Sequence, residues 1–409
     1  MADLLLELFS EEIPAIMQNK ACEDLNNIVT NALVEAGLTY KSSKSISTPR
    51  RLCLMIEGLI NKSPDTREER KGPRVDAPEQ ALNGFLRGVG LTIDQLEVRD
   101  DKKGKTYFAI IEKEGRFAPE IVSEVINDAV NNFPWPKSMR WGSKSLKWVR
   151  PLHSILCILS AEDGVETVNV EIDGIKSSNL TAGHRFMSPD HFTVSSIEQY
   201  QKDLKKAYVI LDAQERADHI LEDAKNLAFA QGLELVEDIN LLNEVAGLVE
   251  YPVVLMGEIS KEFFELPAEV LMTSMKEHQK FFSVRNPKSN RIEKFITVAN
   301  RATTDNGKTI IAGNQKVLFA RLSDAKFFWE NDLRIAKAGM NEWSEKLNKV
   351  TFHNKLGSQS ERIKRISFIA SATSRLTNAD MELTNKAAML CKVDLSSEMV
   401  GEFAKLQGL

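Results

Sequence analysis

The stretch Leu4-Leu5-Leu6-Glu7-Leu8-Phe9 lies near the start of the chain, and five of its six residues are apolar. A short apolar run followed by the turn residues Glu11-Glu12-Ile13-Pro14 predicts a buried β-strand. The next residues have helical periodicity, with Leu25, Val29 and Leu33 on one face. The chain therefore begins with a strand and an amphipathic helix.

Strand and helix patterns alternate irregularly along the following residues. Strand-type runs occur at residues 51–60, 105–112, 168–172 and 253–256, with helical patterns between several of them. No regular repeat of strand and helix is visible, which argues against a doubly wound parallel sheet. We therefore predict the α+β class, with a mixed sheet in the N-terminal module.

The character of the sequence changes towards the C-terminus. From about Lys316 onward only helical patterns are found, so we predict an all-helical domain over residues 326–409. An α+β module is predicted over residues 1–325, with a candidate division into two subdomains near residue 200. The chain stops at Leu409 directly after an amphipathic helix and without a terminating signal, and we expect it to be truncated there.

The composition is that of an ordinary globular protein. Of the 409 residues 43% are hydrophobic and 27% are charged, and the net charge is -5. This charge excludes a globally basic protein that coats nucleic acid, but it leaves room for a local cationic face. The four cysteines form no CxxC pair, which is typical of a reducing compartment. Because no secretory signal and no long apolar run occur, we expect a cytoplasmic protein without a membrane partner.

The familiar catalytic signatures do not occur in the sequence. Gly307-Lys308-Thr309 is similar to the end of a P-loop, but Ala302 stands where the motif requires its first glycine. No HExxH, GxSxG or GxGxxG is found, and the six histidines include no pair at metal-ligand spacing. We therefore predict no catalytic residue and no metal ligand in this chain.

Three smaller features have competing interpretations. Glu11 and Glu12 are candidates for acid–base chemistry, although an acidic pair after a strand is typical of a turn. His278 lies on the apolar stripe of a predicted helix and is expected to be a core histidine. His184 and Arg185 are expected at an exposed strand end, where a structural role and a phosphate contact both remain open.

The segment of residues 133–160 is the clearest anomaly. It contains no acid, and tryptophans alternate with cations, namely Trp135, Lys137, Arg140, Trp141, Lys144, Lys147, Trp148 and Arg150. Cations neutralise phosphates and planar rings stack on unpaired bases, a combination that RNA recognition favours. In the alternative interpretation the tryptophans anchor a loop-rich subdomain and the lysines are solvated. Composition alone leaves both open.

Longer motifs, spread along the whole chain, carry a family resemblance. They include Leu5-Leu6-Glu7-Leu8-Phe9-Ser10-Glu11-Glu12-Ile13-Pro14-Ala15, Thr48-Pro49-Arg50-Arg51-Leu52, Pro136-Lys137-Ser138-Met139-Arg140-Trp141-Gly142, Arg150-Pro151-Leu152-His153, Gly183-His184-Arg185-Phe186, Glu250-Tyr251-Pro252 and Ala320-Arg321-Leu322-Ser323-Asp324-Ala325-Lys326-Phe327-Phe328-Trp329. In number and order they resemble the N-terminal portion of the β subunits of bacterial heterotetrameric (α2β2) glycyl-tRNA synthetase.

The resemblance implies a division of labour between two subunits. The α subunit carries the class II core, where ATP and Mg²⁺ serve adenylate formation, and the β subunit contributes tRNA(Gly) recognition and binds no cofactor itself. It also implies a first module similar to the B3/B4 domain of phenylalanyl-tRNA synthetase, followed by an HD-like helical domain. The candidate contacts with tRNA(Gly) or the α subunit are Arg50, Arg51, Lys137, Arg140, Trp141, Lys144, Lys147, Arg150, His184 and Arg185.

One departure from a working HD phosphohydrolase concerns its metal site. That site needs an adjacent His-Asp pair, and no His-Asp dipeptide occurs in the sequence. A scaffold role is therefore expected for the helical domain. The alternatives to a ligase subunit are an RNA-binding or assembly module without a ligase role, and a hydrolase of the HD or editing type.

Overall fold

The computed structural model describes residues 1–101 and 104–409. The chain folds as two compact units, Met1–Ala213 and Gln214–Leu409. The division into domains at residues 325 and 326 stays a prediction, and one helix, Lys308–Lys337, runs across that position.

The first unit contains the larger number of strands. Its helices and strands are β1 (Ala2–Ser10), α1 (Ala15–Glu35), β2 (Ser42–Thr48), β3 (Arg51–Leu59), β4 (Thr66–Arg74), α2 (Glu79–Val89), β5 (Leu96–Asp101), β6 (Gly104–Lys113), α3 (Ala118–Asn131), β7 (Leu152–Ala161), β8 (Gly164–Thr167), β9 (Glu171–Ile172), β10 (Ile175–Ser178), β11 (Leu180–Ala182), β12 (His191–Thr193) and α4 (Ile197–Lys206).

The main sheet of the first unit has the strand order β2-β3-β1-β7-β10-β9, and β8 pairs with β7. Strand β1 runs antiparallel to both β3 and β7, whereas β10 runs parallel to β7, so the sheet is mixed. A smaller sheet has the order β4-β6-β5, and β11 pairs with β12. The prediction of a protein that combines helices with sheets is thus confirmed.

Strand β1 is buried on both faces, which explains its almost continuous apolar sequence. Because side chains alternate across a strand, Leu4, Leu6 and Leu8 pack in one core together with α1 and α3. Leu5 lies in a second core on the other face, with Tyr200 of α4. Glu7 shares that second face, so a carboxylate is enclosed in the interior.

The second unit has a sheet of order β13-β15-β16-β14 and is otherwise mainly helical. Its helices and strands are α5 (Ala213–Phe229), β13 (Glu234–Leu235), α6 (Ile239–Ala246), β14 (Val253–Glu258), α7 (Ala268–Ser274), β15 (Phe282–Arg285), β16 (Ile292–Ala299), α8 (Lys308–Lys337), α9 (Asn341–Lys346), β17 (Thr351–His353), β18 (Gly357–Ser358), α10 (Gln359–Thr377), α11 (Met381–Leu390) and α12 (Glu398–Glu402). Within the described residues, every helix is too short or too polar to cross a membrane.

The C-terminal residues are not purely helical, in contrast to the prediction from the sequence. Strands β17 and β18 form a small antiparallel hairpin before α10. Gly357 has φ of +84°, a left-handed conformation that favours glycine and allows the chain to reverse. Ser358 then caps α10 in a capping box with Glu361. Strands of two and three residues are too short to give a readable alternation, so the helical prediction was wrong here.

The prediction for His278 is also wrong. Helix α7 ends at Ser274 and continues into a π-helical turn, Met275–Gln279. A π turn has a different angular spacing from an α-helix, so the apolar stripe is broken. His278 is exposed and its ring contacts Phe403 edge to face, with 5.6 Å between the ring centroids.

The segment that is similar to a P-loop has a structural role at the start of α8. Asp305 accepts hydrogen bonds from the side chain of Thr303 at 2.6 Å and from the amide of Thr309 at 2.8 Å. The hydroxyls of Thr303 and Thr309 hold the pKa of Asp305 well below its usual range. A carboxylate of the chain itself therefore occupies the helix N-terminus, where a P-loop would hold a phosphate.

Candidate nucleic-acid interface

Several family motifs meet at one edge of the main sheet in the first unit. The amide of Ser10 donates to the carbonyl of Arg50 at 2.8 Å, and the amide of Glu11 donates to the carbonyl of Pro151 at 3.0 Å. The amide of Ile13 donates to the carbonyl of Pro49 at 2.6 Å. Because β1 is antiparallel to β3 and β7, its C-terminal end lies beside the N-terminal ends of both neighbours.

Arg51 lies inside this edge rather than on its surface. Its guanidinium is fully buried and forms an ion pair with Glu7, with 3.1 Å between Nε and Oε2. It also donates to the carbonyl of Ala182. Burying charges is tolerated only when they are paired and hydrogen-bonded. Arg51 is therefore a structural residue, and its predicted contact with RNA or a partner is corrected.

Glu7 is enclosed by donors from distant parts of the first unit. Besides Arg51, the hydroxyl of Tyr200 donates to Oε2 at 2.5 Å and that of Thr181 donates to Oε1 at 2.7 Å. The thiol of Cys53 lies 3.0 Å from the Tyr200 hydroxyl, and burial raises the pKa of both groups. This inner network ties β1, β3, β11 and α4 together.

His184 is buried as well, so its expected exposed position is wrong. Its Nδ1 accepts from the amides of Phe186 and Met187, each at 3.3 Å. Its own amide donates to the carbonyl of Ala207 at 2.9 Å. The imidazole organises a tight turn of the chain, and this structural role is the one that the geometry supports.

An outer network covers the same edge of the sheet. Arg185 forms ion pairs with Glu11 at 2.6 Å and with Glu12 at 3.5 Å. His153 lies 3.1 Å from Glu11, and Arg150 donates to the carbonyl of Glu12 at 3.1 Å. Arg150 and Arg185 were predicted as contact residues because of their charge. The sequence alone did not indicate that Glu11 and Glu12 neutralise Arg185.

Glu11 is held in its ionised form by this outer network. Partial burial raises the pKa of its carboxyl, but the hydrogen bonds from Arg185 and His153 outweigh burial and lower the pKa overall. A carboxyl with a lowered pKa is a poor general acid. The geometry therefore favours the turn interpretation of the acidic pair.

Arg50 lies above the ring of Phe9, with 4.5 Å from Cζ to the ring centroid.

The tryptophans of the basic segment divide into two kinds. Phe133, Trp135 and Trp148 form a ring cluster with centroid distances of 4.8, 5.0 and 5.1 Å, and Trp148 is fully buried. Trp148 and Met139 exchange backbone hydrogen bonds of 2.9 and 3.1 Å, which close the chain between them into a loop. Trp135 and Trp148 are thus anchors, whereas Trp141 lies within the loop and is half-buried.

We call the segment from Lys137 to Lys147 the basic loop. Lys137, Arg140, Lys144 and Lys147 are all exposed, and no acid of the described residues lies within ion-pair distance of them. The electrostatic repulsion among these four cations is limited because their side chains are exposed to solvent. This set is the part of the candidate surface that remains accessible to a polyanion.

Asp173 fixes the shape of the basic loop, although it was not predicted from the sequence. Its carboxylate accepts from the amides of Leu146 at 3.1 Å and Ser145 at 3.3 Å. The Leu146 amide, more than any other group, lowers the pKa of Asp173, and Lys144 adds a smaller effect. Asp173 itself has a left-handed backbone with φ of 52°. No sequence pattern connects it with the loop, because the contact is long-range.

The part of the chain that the structure describes contains no set of side chains that could bind a metal ion. No group of three or more His, Cys, Asp or Glu side chains is arranged so that it could hold an ion there. The candidate site consists of the basic loop and the nearby sheet edge, where Arg51 and Arg185 are paired with Glu7 and Glu11. Such a surface can bind phosphates and aromatic groups.

Comparisons with known proteins agree with the motif resemblance. A family model described as glycyl-tRNA synthetase beta subunit matches residues 4–409. The glycine–tRNA ligase beta subunit of Ruegeria sp. (strain TM1040) is 64% identical over 411 residues, covering 100% of this chain and 60% of the relative. That of Paracoccus denitrificans (strain Pd 1222) is 62% identical over 409 residues, with the same coverage. The chain thus spans about 60% of the length of these relatives, and it belongs to the glycyl-tRNA synthetase β subunit family.

Proposed function

We propose that this chain works as the N-terminal portion of the β subunit of glycine–tRNA ligase. In this role it contributes tRNA(Gly) binding and assembly with a catalytic α subunit in an α2β2 enzyme of the cytoplasm. ATP and Mg²⁺ act on the α subunit, and this chain holds no cofactor. Its membership of the family and the names of its relatives support the ligase role over a stand-alone RNA-binding module or a hydrolase.

The proposal includes a finer division of the β subunit. The N-terminal module is similar to a B3/B4 domain, and the last helices begin an HD-like domain that serves as a scaffold. The curated relatives are longer than this chain, and we expect the remaining part of the full-length subunit to contribute further tRNA-binding domains.

The observation that carries the tRNA-binding role is the exposed cation set of the basic loop. Lys137, Arg140, Lys144 and Lys147 project into solvent in a segment without a single acid. Cations that are not neutralised by the protein can displace counterions from phosphates, which favours RNA binding and makes it dependent on salt.

The test uses the full-length β subunit together with its α subunit. Lys137→Glu, Arg140→Glu and Lys144→Glu are combined in one variant, and binding of tRNA(Gly) is measured over a range of salt concentrations. We expect weaker binding, with a log–log salt slope that is shallower by about 0.7–0.9 for each phosphate that the variant no longer neutralises. Assembly with α is followed in parallel by analytical ultracentrifugation.

A matched control carries the same change in charge elsewhere on the first unit. Lys20, Lys176 and Lys206 are similarly exposed, but each already lies beside an acid, namely Asp24, Glu171 and Asp203. The triple reversal at these positions should leave tRNA affinity nearly unchanged. If the wild-type subunit does not restore charging of tRNA(Gly) by α, the proposed function is wrong. If only the assembly with α weakens, the loop binds the partner instead.

A further inference from the structure

A pocket of about 350 Å³ lies beside the basic loop in the first unit. Trp141, Leu146, Pro151 and Ile175 supply apolar walls, and Lys144 stands on its lining. Ligand sites in proteins are usually concave, mainly apolar and bounded by a few polar groups. This volume lies at the small end of the usual range, which suits one planar group rather than a base pair.

Trp141 differs from the other tryptophans of the segment in what it contacts. Trp135 and Trp148 pack edge to face on each other, with an angle of 84° between their planes. Trp141 has no ring partner among the described residues, although it is half-buried at the pocket wall. Nothing in the ring cluster therefore explains why a tryptophan occupies this position.

The indole N–H of Trp141 is also without an acceptor in the described part of the chain. Those of Trp135 and Trp148 lack one too, but these two rings lie against each other inside the cluster. This N–H is enclosed by protein atoms, so a ligand in the pocket would contact the exposed part of the indole ring rather than the N–H.

The charges around the pocket favour a nucleotide over an apolar side chain. Lys144 lines the pocket, and Arg140 and Lys147 belong to the same exposed loop, so cations are available for flanking phosphates. Asp173 is the acid of the lining, and the amides of Ser145 and Leu146 engage its carboxylate. A duplex keeps its bases stacked, so only an unpaired base can enter.

We propose that this pocket receives one unpaired nucleobase of the bound RNA, stacked on Trp141, with the adjoining phosphates at Lys144 and its basic neighbours. The inference rests on the proposed function, because it assumes that the protein binds tRNA. Stacking on an aromatic side chain is tolerant of base identity, so the pocket selects an unpaired nucleotide rather than a particular base.

The test uses the full-length β subunit with α and a set of tRNA(Gly) transcripts. Each transcript carries 2-aminopurine at one unpaired position, and its fluorescence is quenched when the base stacks. We expect strong quenching at one position with the wild-type protein, and loss of that quenching with Trp141→Ala. Affinity should fall about tenfold for Trp141→Ala with an unchanged salt slope, because stacking releases no counterions.

Two further variants keep the test decisive. Trp141→Phe retains an aromatic face and should keep most of the quenching, which separates stacking from a folding defect. Lys144→Gln should reduce the salt slope and leave the quenching in place. The inference is overturned if no unpaired position is quenched, if quenching persists in Trp141→Ala, or if that variant weakens only the assembly with α. Failure of the proposed function is distinct, since the wild-type complex would then neither bind nor charge tRNA(Gly).

Discussion

Two sets of cations in the first unit lie in or next to family motifs, yet they have opposite environments. Arg51 is paired with Glu7 in the interior, and Arg185 is paired with Glu11 in the outer network. Lys137, Arg140 and Lys144 project from the basic loop into solvent. The comparison teaches that a cation within a motif is not by itself a ligand-binding residue. Its neighbours in space decide between a structural role and a binding role.

The chemistry of the two side chains agrees with this division. Arginine presents a planar fork of donors that suits buried pairs, and Arg51 uses it to reach both Glu7 and the carbonyl of Ala182. Lysine is a compact, strongly hydrated charge, and three of the four exposed cations are lysines. Removing a buried cation should therefore affect folding, and removing an exposed one should affect binding.

The largest effect on stability is expected for Arg51→Met. The substitution leaves Glu7 buried without its cation, which should lower the free energy of unfolding by about 3–5 kcal/mol. Because the chain has two units, we would follow hydrogen exchange in peptides that cover β1 and β3. The double variant Glu7→Gln/Arg51→Met removes both charges and should recover much of the stability. A decrease below about 1 kcal/mol in Arg51→Met would contradict the structural role of the pair.

A smaller and pH-dependent effect is expected for Arg185→Met. The pKa of Glu11 is lowered in the folded protein, so its ion pairs stabilise the fold above the ordinary value of 4.5 and lose this effect as the pH falls through the folded-state pKa. Both side chains are 35% exposed, so screening limits the contribution to less than about 1 kcal/mol.

The measurement for Arg185→Met is the difference in free energy of unfolding between wild type and variant. It should be present at neutral pH and disappear once the pH falls below the lowered folded-state pKa of Glu11, because Glu11 is then protonated in both proteins. Arg185→Lys keeps a charge but lacks the planar fork, and an intermediate result is expected. A difference that is the same at both pH values would indicate that packing, rather than the ion pair, carries the effect.

The smallest effect on stability is expected in the basic loop. Lys137→Gln and Lys147→Gln remove exposed charges without an acidic partner, so the free energy of unfolding should change by no more than about 0.5 kcal/mol. Thermal unfolding of each variant tests this. A larger decrease would mean that these lysines stabilise the loop, and the contrast between the two cation sets would then fail.

Part of the candidate site was predicted from the sequence, and the remainder required the fold. The acid-free segment and its cations were visible as composition, and the interpretation of its tryptophans as anchors is confirmed for two of them, whereas RNA recognition stays a prediction. Trp135 and Trp148 anchor the loop, whereas Trp141 does not belong to their cluster. Arg51 was expected on the surface because a charged residue usually is, and His184 because its neighbours Gly183 and Arg185 suggest a strand end. Their burial depends on partners such as Glu7 and Ala207, which are distant in the sequence.

The sequence by itself determined the features that rest on local patterns and on motif order. The strand β1, the helix α1, the combination of helices with sheets and the family all follow from runs of a few residues. Only the tertiary structure decided which polar residues are paired, because hydrogen bonds such as that from Arg185 to Glu11 join positions 174 residues apart. Short-range patterns carry no information about such contacts. The pocket at Trp141, formed where Asp173 holds the basic loop, is a feature of the same kind.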